Sequence, residues 1–234
     1  MIMAAAIREL NPRQNTVEQI YLILREEIIG LRLQPGEAIP EKELCRRFGI
    51  SRTPVREACL RLSYDHLVEV LPQRGTFVSK IRLEDVREGH FIREAIETAT
   101  IRYAAQHMTK EDRENFRQNL GKQQICVDEN NGEKLYQLDQ EFHKYLAQVG
   151  HSERVWRVID SAKLQLDRVR KLTYPMSGYM QSIVDQHREI VEQLCSGDEG
   201  KAVEAITHHL NEVLERVEIL VEDYPDYFVG PVNQ

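Results

Sequence analysis

Asp139 and His143 stand four residues apart in a stretch with helical periodicity, so their side chains share one face. His187 and His209 fall inside two later stretches of the same kind. A carboxylate plus imidazoles is a donor set suited to zinc or a similar divalent metal. The Asp139–His143 spacing alone is a weak signal, since such pairs are usually surface neighbours or include a satisfied core histidine. Only the fold can bring His187 and His209 to them. The chain has eight histidines. His66, His90, His107, His151 and His208 lack comparable support, and His208 directly adjoins His209, so one of that pair points inward on a regular helix.

A second constellation is basic. Arg52, Arg56 and Arg61 share one short helical stretch, with Lys42, Arg46 and Arg47 just before it and Arg74 further on. Ser51 and Thr53 add short polar side chains. Guanidinium groups reach guanine edges or phosphates, and hydroxyls reach either. Each arginine alone also suits a solvated surface position.

The elements that must hold these residues follow from periodicity and breakers. Val17, Ile20, Tyr21, Leu24 and Ile28 predict a helix over 16–29 that stops near Gly30, with a turn at Pro35-Gly36. A short helix over 41–48 ends at Gly49. A third runs to about Tyr64, with Ser51 at its N-cap, Pro54 in its first turn and Val55, Cys59 and Leu62 inward. Helix, tight glycine turn, helix is helix-turn-helix spacing. The β-like pieces 67–71 and 76–78 flank Pro72-Gln73-Arg74-Gly75, a hairpin with a basic tip that reads as a wing. A recognition helix enters the major groove by its N-terminal end.

From Leu83 onward the pattern is wholly helical, over 84–107, 109–130, 133–149, 152–172, 177–196 and 199–223. The breaks lie at Asn130-Asn131-Gly132, Gly150, Tyr174-Pro175, Ser196-Gly197 and Tyr224-Pro225. The expected fold is mostly α: a winged helix-turn-helix followed by an all-α bundle of six or seven helices. The expected organisation is an arm over 1–15, the DNA-binding domain over 16–80, the bundle over 84–223 and an irregular tail over 224–234, with the junction near 79–84.

Composition agrees with this reading. The 234 residues are 41% hydrophobic and 29% charged, enough apolar content for a core, which excludes wholesale disorder. No run approaches the roughly 18 apolar residues of a membrane helix, and no secretory signal is evident. Cys45, Cys59, Cys126 and Cys195 are scattered and read as reduced thiols of a cytoplasmic protein. Of the net charge of −7, residues 1–80 carry +2 and the remainder −9.

The run Phe48-Gly49-Ile50-Ser51-Arg52-Thr53-Pro54-Val55-Arg56-Glu57-Ala58, with Pro35-Gly36, Leu44, Leu62 and Gln73-Arg74-Gly75-Thr76-Phe77-Val78, resembles the DNA-binding domain of the GntR family of bacterial transcription regulators. The resemblance implies that Lys42, Ser51, Arg52, Thr53, Arg56, Arg74 and Gly75 contact double-stranded DNA. The family usually has a glycine after the third helix. Here Asp65-His66 stands instead, which puts His66 in a left-handed turn at some cost.

The layout Asp139-Gln140-Glu141-Phe142-His143, Gln186-His187-Arg188 and His209-Leu210 is similar to the FCD ligand-binding domain of the FadR subgroup. That resemblance implies a metal, zinc or else nickel or manganese, held by Asp139, His143, His187 and His209. His209 is chosen over His208 because it precedes the leucine of the pattern. The subgroup's long-chain acyl-CoA binder lacks this metal set, so its ligand is not carried over. Arg93 matches an arginine of the pattern and either holds a carboxylate of an effector or pairs with Glu97 on its own helix.

The expectation is therefore a homodimeric, non-enzymatic regulator, a repressor, released from its operator by a small carboxylate bound at the metal. The overall sequence, including Phe91-Ile92-Arg93-Glu94-Ala95-Ile96-Glu97, resembles members governing sugar-acid or related catabolic genes. Two alternatives stand beside it. One is a DNA-binding dimer with a purely structural metal. The other is a metal-dependent hydrolase, in which the winged helix has no purpose.

Overall fold

The computed structural model describes residues 10–150 and 152–231. Residues 1–9 of the expected arm, His151 and the last three residues lie outside the described residues. The chain divides into two compact units, one of residues 1–85 with 221–234, the other of residues 86–220.

In the first unit, α1 (Thr16–Ile29) starts where the Asn15 side chain accepts the Glu18 N–H at 3.1 Å. After β1 (Ala38–Ile39) comes α2 (Glu41–Phe48), which ends because Gly49 takes the left-handed conformation, φ 66°. α3 (Arg52–Tyr64) follows. α1 packs on α3, burying Ile20, Leu24 and Ile28 on one helix and Val55, Ala58, Cys59 and Leu62 on the other. Three polar pins fix the arrangement. Arg47 grips the buried Glu27 carboxylate with both Nη atoms, at 2.8 and 2.6 Å, Tyr21 donates to Asp65 at 2.6 Å, and Arg61 reaches Glu18 at 2.5 Å.

β2 (Val68–Leu71) and β3 (Gly75–Val78) form the expected hairpin, closed with Leu71 opposite Gly75. Sequence reading misses β1, which pairs antiparallel with β3 and makes a three-stranded sheet of order β1-β3-β2. Two residues are too short a run to show alternation. His66 does turn left-handed, φ 57°.

The irregular tail is corrected. Pro225–Tyr227 forms a 3₁₀ turn, and β5 (Phe228–Val229) pairs in parallel with β4 (Ile81–Arg82), burying Phe228. The last segment thus belongs to the first unit.

The second unit is all helix. α4 (Leu83–His107) enters it, followed by α5 (Lys110–Asp128), α6 (Gly132–Gly150), α7 (Glu153–Ala162), α8 (Leu164–Thr173), α9 (Tyr179–Ser196), α10 (Glu199–Glu215) and α11 (Val217–Asp223), whose last residues return to the first unit. The mostly α fold class is as expected, but two expected helices are each broken, at Lys163 and at Arg216. The main apolar cluster joins Ile101 and Ala104 of α4, Phe116 of α5, Phe142 and Leu146 of α6, Ile190 and Leu194 of α9 and Ile206 and Leu210 of α10.

α6 ends against α4 with no spare room. A methyl group on Gly150 collides with the Thr100 side chain and lies 2.8 Å from the Thr100 carbonyl oxygen. Gly150→Ala is expected to destabilise the bundle by about 1–3 kcal/mol through overpacking. Urea unfolding measures it, and an unshifted midpoint contradicts this close approach.

Candidate metal centre and nucleic-acid interface

α6 presents a buried stripe at helical spacing, Leu135, Leu138, Asp139, Phe142, His143 and Leu146. Its apolar members drive the helix inward and carry Asp139 and His143 with them. α9 buries His187 between Val184 and Ile190, and α10 buries His209 beside Leu210 while His208 is exposed. The fold brings all four expected residues together: one ligand atom from each lies within 4.8 Å of the others, and all four are buried. Phe142 stacks on the His187 ring with centroids 4.1 Å apart.

The hydrogen bonds behind the rings fix which nitrogens face inward. Gln186 donates through Nε2 to the Glu212 carboxylate at 2.7 Å, so its Oε1 faces His209 Nδ1, 2.9 Å away. Asn119 donates to the Leu138 carbonyl and accepts from Gln123 Nε2, so Gln123 Oε1 faces His187 Nδ1 at 2.8 Å. His143 Nδ1 meets Glu97 Oε2 at 2.5 Å. Each acceptor requires a hydrogen on Nδ1, which leaves each neutral ring a bare lone pair on Nε2. Those lone pairs face one another: His143 Nε2 is 3.1 Å and His187 Nε2 3.3 Å from His209 Nε2. Asp139 Oδ1 is 3.6 Å from His187 Nε2 and is buried with no hydrogen-bond partner. Four converging acceptors without a donor are unfavourable by themselves and fit a divalent cation among them.

The charges around the cluster agree. Asp139 accepts from Arg170 Nη2 through its other oxygen, Oδ2, and Arg170 Nη1 also reaches Asp167 at 3.3 Å. Burial alone raises the Asp139 pKa, but Arg170, His143 and His187 outweigh it and hold the carboxyl well below its ordinary range. Burial pushes all three imidazoles down, with His143 and His209 well below their usual value. His187 falls from 6.5 to about 4, Asp139 opposing the burial and Arg170 reinforcing it. Neutral imidazoles and an ionised carboxylate are the states that bind metal.

Between pH 6.5 and about 4 an unfolded His187 takes up a proton that the folded chain refuses. The metal-free protein therefore loses stability as pH falls through that window. A thermal midpoint that stays level from pH 6.5 to 4 in chelated protein contradicts the buried neutral ring.

Arg93 is buried and donates through Nε to Glu97 Oε1 at 2.6 Å, while the other oxygen of Glu97 holds His143. Of the two sequence readings, the pairing with Glu97 is present, and it joins Arg93 to the cluster by a single carboxylate. Sequence reading pairs Glu97 with Arg93 but misses its bond to His143, misses Gln123, Arg170 and Glu212, and notes Gln186 only for its place beside His187. The i, i+4 spacing of Arg93 and Glu97 was a usable signal. Gln123 and Arg170 gave none, because their partners come from other helices.

In the first unit, the structure exposes Lys42, Ser51, Arg52, Thr53, Arg56, Arg74 and Gly75. Ser51 sits at the N-cap of α3 without a side-chain cap bond, so its hydroxyl stays at the surface. Arg52 and Thr53 begin the helix, Arg56 follows one turn later, and Arg74 lies at the hairpin tip, where Gln73 takes φ 62°. Arg56 bonds the Glu41 carboxylate at 3.0 Å and remains 64% exposed. Arg47 and Arg61 belong instead to the scaffold, as the pins to Glu27 and Glu18 show.

No helix among the described residues is long and apolar enough to cross a membrane. The four cysteines are free, Cys59 and Cys126 buried.

Comparison with known proteins gives the same division. Residues 16–78 match the model "Bacterial regulatory proteins, gntR family", and residues 88–212 match the FCD domain. The HTH-type transcriptional repressor RspR of Escherichia coli K12 is 38% identical over 94% of this chain and 96% of its own length. Among solved structures, E. coli McbR/YncC superposes with a TM-score of 0.74 at 19% identity, covering 90% of this chain and 99% of that one. A transcriptional regulator from Rhodococcus sp. RHA1 gives 0.72 at 24% identity, covering 87% and 97%. Both structures share the fold. Relatives and matched families are transcription regulators, not enzymes. A winged helix-turn-helix in one unit and a helical FCD domain in the other make this chain a member of the GntR family of bacterial transcription regulators, consistent with its FadR-like FCD subgroup.

Proposed function

We propose that this chain is a cytoplasmic, homodimeric transcriptional repressor whose operator affinity is set by a small carboxylate bound at a metal in the FCD domain. The observation that carries the reading is the convergence of Asp139 Oδ1, buried without a hydrogen-bond partner, with the Nε2 atoms of three buried histidines. Asp139, His143, His187 and His209 hold the ion, zinc by preference for three nitrogens and one oxygen, with nickel or manganese as substitutes. When bound, the metal supplies a positive centre that attracts a carboxylate. Arg93, in the same buried network, adds a guanidinium able to make charge-assisted hydrogen bonds.

The winged helix reads double-stranded DNA with Lys42, Ser51, Arg52, Thr53, Arg56, Arg74 and Gly75, and two copies match a two-fold operator. The name of the RspR relative supports repression as the sign. The carboxylate acts to the extent that it prefers the conformation with low DNA affinity.

The test uses the full-length metal-loaded protein and an operator selected from random duplexes. Fluorescence anisotropy is recorded with and without citrate, D-gluconate and D-glucuronate. Weaker DNA binding with at least one of them supports the proposal. If metal is bound and stabilises the fold while none of them alters DNA affinity, the metal is a staple and the effector reading fails.

A further inference from the structure

Beyond the metal ligands, α8 carries a second polar stripe. Asp167, Arg170 and Tyr174 follow one another at i, i+3 and i+7 on one face, Tyr174 capping the helix in right-handed conformation, and all three are buried. The first two are satisfied: Lys163 and Arg170 meet Asp167, and Arg170 meets the metal ligand Asp139. Tyr174 is not. Its hydroxyl is buried and has no hydrogen-bond partner.

The surroundings fix its position. The Tyr174 ring meets Tyr136 edge-on at 6.1 Å and Tyr179 at 6.0 Å, and the Arg170 guanidinium lies 5.6 Å from the Tyr136 ring. Met176 and Met180 pack on the same cluster. Tyr174 is thus locked among aromatic and thioether groups, at the end of the stripe whose Arg170 pairs with Asp139. A phenol so placed forfeits a hydrogen bond, which a phenylalanine of the same shape does not. A metal ion among the four ligands satisfies Asp139 Oδ1 but does nothing for a hydroxyl donor.

We propose that Tyr174 is a specificity-determining residue of the effector site, its hydroxyl donating to a further oxygen of the bound acid, one outside the carboxylate group that meets the metal. The inference rests on the carboxylate reading above and deepens it. It selects acids that carry a further hydroxyl, keto or carboxylate oxygen over acids with a bare alkyl chain. A site built to pair with such an oxygen rejects the analogue lacking it, because the buried donor is then left unmet.

The experiment compares full-length metal-loaded wild type with Tyr174→Phe, using D-gluconate and hexanoate as matched six-carbon probes and calorimetry as the readout. Metal per chain and the ligand-free thermal midpoint are recorded alongside. The expected result is a wild type that prefers gluconate, and a variant that loses about tenfold of that preference. The variant keeps its metal, its hexanoate affinity and a midpoint no lower than that of the wild type. Equal discrimination by both proteins overturns the role of Tyr174 while leaving the carboxylate reading intact. A wild type that binds neither acid overturns both.

Discussion

Arg170→Leu is expected to destabilise the metal-free protein by about 3–5 kcal/mol, the cost of removing one partner from a buried ion pair. Arg170 is buried and serves two carboxylates, Asp139 through Nη2 and Asp167 through Nη1. Lys163 still meets Asp167 in the variant, whereas Asp139 keeps no full positive charge bonded to it. Its carboxyl, now governed by burial, rises toward the neutral form, and a protonated Asp139 is a poor ligand. The same substitution should therefore weaken metal binding. Arg170→Lys restores only part of the loss, because an ammonium lacks the planar fork that spans two acceptors. Chemical unfolding of the chelated protein with each variant measures the effect. A midpoint equal to that of the wild type contradicts the pairing on which the electrostatics of the cluster depend.

The second large effect belongs to the other unit. Arg52→Ala should weaken operator binding by about 1–3 kcal/mol if the guanidinium reads a base, with relaxed preference at one position. A phosphate contact should instead lower the salt slope by about one. Arg52 opens α3 at the surface and Pro54 and Val55 follow it, so its truncation leaves the core untouched. Arg47→Ala is the control: losing the bidentate grip on Glu27 should lower stability. Unchanged affinity and salt dependence in Arg52→Ala remove this residue from the interface.

Much of this molecule is legible in its sequence, and the parts that are not share one physical cause. α1, α2 and α3 announce themselves through the apolar spacing that stops at Gly30, through Gly49 and through Ser51, local signals that act within a few residues. Asp139 and His143 share a helix, so their proximity follows from spacing. The supporting layer does not. The stretch Leu164–Thr173 carries charges at Asp167, Arg168, Arg170 and Lys171, which by composition suit a solvated face. It is instead among the most buried helices of the bundle, with Asp167 and Arg170 paired to each other and Arg170 paired inward to Asp139. Burial of charge depends on partners distant in sequence, which no local pattern encodes. β4 and β5 illustrate the same limit. Two-residue strands about 150 positions apart carry no periodicity and exist only as a pair.

Asp139, His143, His187 and His209 are expected to bind a divalent metal. Elemental analysis of full-length protein purified without chelator or affinity metal tests this most directly, with His187→Ala measured in parallel. About one divalent ion per chain is expected in the wild type and a small fraction of that in the variant. Wild-type protein that is metal-free, and stays so after dialysis against Zn²⁺, Ni²⁺ or Mn²⁺, contradicts it, as does a variant that retains the full complement.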